Sequence, residues 1–313
     1  MLSPEARGSL SEHVLHALRT GSTTQVGTCP RADSAEDAQL TLWVLYELHH
    51  GGFEDVADAL EWDPQLIALR RELEDGLEAA LRARVDPPPQ PGTFEESFFA
   101  FVADHDGPSL AGYVQKSATF EQVCELLKHK SIYHLKEADH TTWVVPRLPN
   151  RVKAAVVELQ FDEYGCGDPN RLHAHLFERG MEDSGLRPDY GAYIDQAPAE
   201  ILEQNNTMSM FGLNRRLRAA SLGFLAAFEL TSSAPARRFA GGLERLGFPG
   251  AMVHYYTEHV EADAVHEQLA VRTICAALLA ETPALHDDVY FGAAASMNLE
   301  DRYATRMLTQ WSA

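Results

Sequence analysis

Apolar residues recur at helical spacing along most of the chain, and this feature constrains the fold more than any other. Between Pro64 and Arg84, leucines follow one another at intervals of three or four residues, the period of one face of an α-helix. Alternating runs of Val, Ile and Thr are nearly absent, and the best of them, Thr141–Val145, is short. Because alternating strands and helices would predict a parallel sheet, their near absence predicts an all-α protein.

A proline-rich segment divides the helical pattern. Four prolines and a glycine fall within Val85–Thr93, and such a stretch cannot continue a helix. We therefore expect an N-terminal helical subdomain over 1–85, a linker over 86–93 and an up-and-down bundle of about seven helices over 94–313. The periodic segments are Ala35–His50, Pro64–Arg84, Thr93–Ala103, Thr119–Ala138, Arg151–Asp162, Ala199–Thr231, Ala234–Leu246, Met252–Leu279 and Asn298–Trp311.

Charge and hydropathy exclude several classes of protein. The 313 residues include 26 Lys and Arg against 46 Asp and Glu, a formal net charge of -20. A surface this acidic repels nucleic acid and anionic membranes, and no apolar run approaches the roughly 20 residues of a membrane span. The N-terminus lacks a signal-peptide pattern and the four cysteines are scattered, so we expect a reduced, cytoplasmic protein that acts on a small molecule. A homodimer is left open.

One histidine-rich segment predicts a metal site. His259, Asp263 and His266 are spaced i, i+4, i+7, so on a helix they lie within roughly 60° of one another. Two imidazoles and a carboxylate on one face suit iron, manganese or zinc. A solvated polar face is the other interpretation of the same pattern.

Two further features add acidic and imidazole groups. Glu229 lies in a helix that is apolar nearly all round, and a buried carboxylate needs a metal, a proton or a salt bridge. Glu163 and His173 flank a segment with two glycines and a proline, which can loop so that both side chains meet. Glu137, near the end of a predicted helix, is another acidic candidate.

The chain resembles the heme-oxygenase-like diiron oxidases and oxygenases, also called iron-containing redox enzymes. The phrases that carry the resemblance are KEADHTTW, FDEYGCGDPNRLHAHLF, FLAAFELTSS and HVEADAVH, within about residues 120–313. The resemblance implies six metal ligands, which match this chain residue by residue and in order. They are Glu163, His173, Glu229, His259, Asp263 and His266. His175 is the rival to His173, and the family pattern favours His173.

The resemblance also implies the chemistry. Two iron ions, cycling between Fe²⁺ and Fe³⁺, would use O₂ as a co-substrate, with an external electron donor left open. In the N-oxygenating branch of the family, that of streptozotocin biosynthesis, an additional upstream glutamate reaches the metals. Glu137 matches it in position, which implies a metal-ligating and catalytic role and favours N-oxygenation of an amine- or amino-acid-derived metabolite. Oxidative C–C cleavage of an amino or fatty acid is the alternative within the family.

Two interpretations from other classes stay open at this point. A helical bundle of this kind can host metal-free hydrolysis with a cysteine nucleophile, and Cys166 is the cysteine near the expected site. The chain could also be a non-catalytic helical binding protein, in which the histidine-rich face is only surface.

Overall fold

A computed structural model describes residues 1–24, 26–85 and 92–312, apart from the side chains of residues 261–265. Within these ranges every regular element is a helix and no strand occurs, so the all-α prediction is confirmed. Most of the expected linker, residues 86–91, lies outside the described residues. The α-helices are α1 (Ser9–Thr20), α2 (Ala35–Glu47), α3 (Pro64–Arg84), α4 (Phe94–Ala103), α5 (Leu110–Lys116), α6 (Phe120–His134), α7 (Asp139–Thr142), α8 (Asn150–Glu163), α9 (His173–Asp183), α10 (Ala199–Leu213), α11 (Arg218–Leu246), α12 (Gly250–Gln268), α13 (Ala276–Glu281) and α14 (His286–Ser312).

Helix α3 has the predicted bounds, and its start shows why. The Asp63 side chain accepts hydrogen bonds from the backbone N–H groups of Gln65 and Leu66, and Pro64 occupies the first turn. An aspartate cap followed by proline satisfies or removes N–H groups that lack a partner within the helix. Helix α6 begins in a related way, because Thr119 and Gln122 exchange hydrogen bonds in a capping box.

Several predicted helix boundaries are wrong, including the expected break between Thr231 and Ala234, through which α11 continues. The helix expected to continue to Ala138 ends at His134, so Glu137 lies in a turn. The helix expected over 199–231 is interrupted, because Asn214 takes an extended conformation and its side chain donates to the Met210 carbonyl oxygen. The last helix begins at His286, twelve residues before the predicted Asn298.

Helix α11 is the central element of the bundle. It packs along α12 on one side and α14 on another, and α9 packs against α12. Glycines allow the closest of these approaches, since a Cβ at Gly223 would lie 1.9 Å from the Val289 carbonyl oxygen. None of the described helices is long and apolar enough to cross a membrane.

The N-terminal helices share a core with the rest of the described chain. Helix α2 packs on α10, and buried side chains such as Trp43 belong to the same apolar cluster as Ile201 and Tyr255. The division of the chain at residue 85 stays a prediction, and residues 1–85 contribute directly to the packing around the site described next.

Candidate metal centre

Six of the seven predicted ligands lie in two buried clusters of three. Cluster A consists of Glu137, His173 and His259, and cluster B consists of Glu163, Glu229 and His266. Within each cluster, one ligand atom from every member lies within 4.8 Å of the others. The seventh, Asp263, belongs to helix α12, but its side chain lies outside the described residues.

The two clusters adjoin each other through the end of α8 and the start of α9. Glu163 closes α8 and His173 opens α9, and Glu163 Oε2 lies 3.0 Å from His173 Nδ1. Gly165 allows the loop between α8 and α9 to bring Glu163 and His173 together. Its φ is +69°, and a Cβ there would lie 2.6 Å from the backbone carbonyl carbon of Arg171. Only glycine fits both constraints, so the loop brings together two residues that a continuous helix would separate.

In cluster B, one imidazole faces two carboxylates. His266 Nδ1 lies 3.4 Å from Glu163 Oε1 and 3.5 Å from Glu229 Oε2. Its other nitrogen, Nε2, contacts Asp162 Oδ2 at 2.8 Å. Burial lowers the pKa of His266, but these three carboxylates outweigh it and raise that pKa to about 9.

Glu229 is the buried carboxylate whose partner the sequence left undecided. Its contact is with His266 rather than with Arg215 or Arg218 among the described residues. Burial raises the pKa of Glu229, and the nearby Glu163 raises it further. Among the described residues, no lysine or arginine forms an ion pair with Glu229, so the interpretation as a salt bridge to such a residue is not supported.

In cluster A, Glu137 is held by groups that sequence reasoning missed. The Tyr255 hydroxyl donates to Glu137 Oε2 at 2.8 Å, and His134 Nδ1 lies 3.3 Å from Oε1. His259 Nδ1 contacts the Tyr255 carbonyl oxygen at 2.7 Å, and its Nε2 lies 3.6 Å from Glu137 Oε1. Although burial alone would raise it, the pKa of Glu137 falls well below its ordinary value because His259 and His134 are close.

The donor geometry fits a metal better than a set of ordinary hydrogen bonds. The Nδ1 atoms of His173 and His266 are buried and make no hydrogen bond of good geometry, although carboxylate oxygens lie 3.0 to 3.5 Å away. Such a buried nitrogen needs a partner. Carboxylate and imidazole donors without a thiolate are suited to iron, manganese or zinc.

Two sequence alternatives lie beside the clusters. His175 is half-buried and contacts Glu178 at 2.7 Å, so it belongs to neither cluster. The Cys166 thiol is exposed and donates to Asp162 Oδ1 at 3.4 Å, a contact that raises the pKa of the thiol. A raised pKa leaves less of the nucleophilic thiolate, which weakens the cysteine-hydrolase interpretation.

Comparison with known proteins decides the family. The family described as iron-containing redox enzymes matches residues 124–301, more than half of the chain. The chain belongs to this family. Every member of clusters A and B falls inside the matched range.

Two relatives are consistent with the family. Nitrosourea synthase from Streptomyces achromogenes subsp. streptozoticus is 31% identical over 109 residues, which cover 35% of this chain and 23% of that enzyme. A CADD-like protein of unknown function from Nostoc punctiforme PCC 73102 has a similar fold, with a TM-score of 0.53 and 15% identity over 69% of this chain and 94% of that one. The similarity to the streptozotocin-pathway enzyme and the fold class expected from the sequence are thus confirmed, and the chain is an iron-containing redox enzyme.

Proposed function

We propose that this iron-containing redox enzyme is an O₂-dependent, non-heme diiron oxygenase that oxidises a nitrogen of a small amine- or amino-acid-derived metabolite. The observation that carries the proposal is the pair of adjoining clusters, each with three buried carboxylate or imidazole groups. One iron would be held by cluster A and the other by cluster B. Asp263, on the same helix as His259 and His266, remains a further proposed ligand.

Glu163 is the residue that we propose would contribute to both metal positions. Its two oxygens face different clusters, since Oε2 is 3.0 Å from His173 Nδ1 and Oε1 is 3.4 Å from His266 Nδ1. Glu229 Oε2 lies 3.5 Å from His266 Nδ1, so Glu229 would help to hold the iron of cluster B.

When bound, two Fe²⁺ ions supply the electrons that reduce O₂, and an external donor would restore them. The protein's part is to orient the ligands and exclude water. Tyr255 holds a proton 2.8 Å from Glu137 Oε2, and Asp162 fixes the orientation of the His266 ring. Apolar side chains line the small space beside Glu163 and Glu229, including Leu159, Leu225 and Phe228, and they limit the access of water to that side.

N-oxygenation is favoured over C–C cleavage by two observations. The relative named nitrosourea synthase is named for a product that contains an oxidised nitrogen. Glu137, the additional carboxylate that first favoured N-oxygenation, lies in cluster A with His173 and His259. Oxidative cleavage of an amino or fatty acid is the alternative outcome of the test below.

The test is iron loading followed by a single exposure to O₂. Protein loaded with Fe²⁺ without oxygen should retain close to two irons per chain, and a panel of amines and amino acids should include one that gains an oxygen atom on nitrogen by mass spectrometry. Loss of CO₂ from the substrate would favour C–C cleavage instead. The double variant His259→Ala/His266→Ala should lose iron and activity, because each cluster loses its α12 ligand.

A matched control lies on the same helix. His254 is largely exposed, at 57% of its side chain, and belongs to neither cluster. His254→Ala should therefore retain both irons and full activity. An active His259→Ala/His266→Ala protein, or a wild-type protein that binds no more than one iron, would overturn the proposal.

A further inference from the structure

A cavity of about 320 Å³ reaches cluster A from the protein surface. His105 and Asp301 contact each other at 3.0 Å at its outer part, and Glu137 and His259 line its inner part. This volume is near the lower end of the range for small-molecule sites. The cavity is therefore large enough for a small metabolite that touches the proposed iron ligands.

A charged pair from two helices lies in the wall of this cavity. Lys130 of α6 and Glu300 of α14 both line it, and Lys130 Nζ lies 3.2 and 3.0 Å from the two oxygens of Glu300. Gln204 donates to Glu300 Oε2 at 3.3 Å. The ammonium of Lys130 is also 5.3 Å from the centre of the Tyr303 ring, so several contacts fix the position of the pair.

The pair is accessible to a ligand in the cavity. The Glu300 side chain retains 44% of its accessible surface and Lys130 retains 14%. Glu300 can accept more hydrogen bonds than the three it makes, since an ionised carboxylate has about four lone-pair positions. Lys130 has three N–H donors. Both residues can therefore bind a ligand without leaving a buried charge unpaired.

We propose that Lys130 and Glu300 determine specificity by holding the α-carboxylate and the α-ammonium group of an amino-acid substrate, whose side chain extends toward Glu137 and His259. This inference rests on the proposed function, because it names the substrate class of that same site. An amino acid is a zwitterion, so its carboxylate can pair with Lys130 while its ammonium group pairs with Glu300. A fatty acid bound to Lys130 would bring its carboxylate close to that of Glu300, and a simple amine bound to Glu300 would bring its cation close to Lys130, and like charges repel.

The experiment measures binding rather than turnover. Isothermal titration calorimetry on the metal-free 313-residue chain would test the proteinogenic L-amino acids, simple amines and fatty acids. For each amino acid that binds, it would also test the amine that lacks the carboxylate and the acid that lacks the ammonium group. We expect one or more amino acids to bind, and each truncated analogue to bind about tenfold or more weakly, because it loses a charge-assisted contact.

Substitutions assign each preference to a residue. In Lys130→Met the amino acid and its amine should bind equally well, and in Glu300→Gln the amino acid and its acid should bind equally well. Because one unpaired buried charge can prevent folding, the double variant Lys130→Met/Glu300→Met removes both charges and should lose both preferences. Lys116→Met and Glu281→Gln make similar changes at exposed positions and should keep the wild-type preferences.

The outcomes separate this inference from the proposed function. Binding of only fatty acids or simple amines, no binding by any amino acid, or a double variant with unchanged preferences would overturn the role of the pair. A protein that failed in this way and still bound two irons and oxidised a nitrogen would leave the proposed function intact. Amino-acid preferences that depend on the pair, in a protein with no more than one iron, would instead overturn the diiron proposal.

Discussion

Asp162 is the side chain that orients His266, through a contact of 2.8 Å to Nε2. Metal-binding histidines commonly depend on such a partner, and its loss costs about 10–100-fold in metal affinity. We therefore expect Asp162→Ala to weaken one of two metal sites by about that factor, measured by metal titration. Glu158→Gln, an exposed change on the same helix, is the control. Equal affinities in all three proteins would show that Asp162 has no part in metal binding.

Glu137 and Glu229 belong to different clusters, and single substitutions should separate them. Glu137→Ala should lower the iron content from about two per chain to about one, because cluster B keeps all three of its members. Glu229→Ala should do the same at cluster B, and the double variant should bind almost no iron. Elemental analysis measures the content. Two irons retained in both single variants would contradict the assignment of these carboxylates as ligands.

The six clustered residues could be predicted because their types and order follow a family pattern along the chain. Asp162 and Tyr255 could not, since their hydrogen-bond partners lie more than 100 residues away along the chain. His134 could not either, since its contact with Glu137 depends on the turn that follows α6. One feature of the sequence could have indicated Asp162, its position directly before Glu163. The assignment of Asp263 as a ligand stays a prediction.

The loop between α8 and α9 is the element on which both clusters depend. Gly165→Ala would place a methyl group 2.6 Å from the Arg171 backbone at a φ of +69°, which adds a steric clash to a strain of about 1–3 kcal/mol. We expect the Glu163–His173 contact to be lost and the iron content to fall at both clusters, while circular dichroism shows that the helices remain.

Gly167 provides the matched control for Gly165. Its φ is also positive, at +85°, but the nearest atom to an added Cβ is 4.0 Å away. Gly167→Ala should therefore introduce strain without a clash and retain more iron than Gly165→Ala. If the two variants bound equal amounts of iron, close approach at Gly165 would not be what sets the site geometry.

At the scale of elements, periodicity predicted where helices occur better than where they end. The start of α3 follows from its capping residues, Asp63 and Pro64, which can be recognised in the sequence. The turn that contains Glu137 could not be predicted from local sequence. Ala138 adopts a φ of +74° there, a conformation that is unfavourable for alanine and depends on the surrounding tertiary structure. A single apolar period likewise runs through the break at Asn214, where a side-chain hydrogen bond ends α10.

Across the whole molecule, the N-terminal helices support the site through a buried charge. Glu47 of α2 contacts Lys136 Nζ at 3.0 Å and accepts a hydrogen bond from the Tyr190 hydroxyl at 2.8 Å. Lys136 immediately precedes Glu137, so α2 helps to hold the turn that carries this proposed ligand. No spacing rule within residues 1–85 predicts this link, because its partners lie about 90 and 140 residues away along the chain.

Removal of the metal should change stability in a manner that depends on pH. In the metal-free protein, carboxylate contacts raise the pKa of His266 from 6.5 to about 9. A raised histidine pKa stabilises the folded state fully below about pH 6.5, and this contribution is lost as the pH rises toward 9. Metal binding requires the neutral imidazole, so over the same range binding strengthens, by up to about 1.4 kcal/mol per pH unit.

One measurement reports this proton release, the melting temperature of the Fe²⁺-loaded protein minus that of the metal-free protein, taken without oxygen. This difference should grow from about pH 6 to about pH 9 and then level off, since His266 has by then lost its proton. His254→Ala should show the same growth, because His254 is outside both clusters. A difference that stayed constant over this range would mean that no raised-pKa histidine gives up a proton to the metal, and His266 would then not be a ligand.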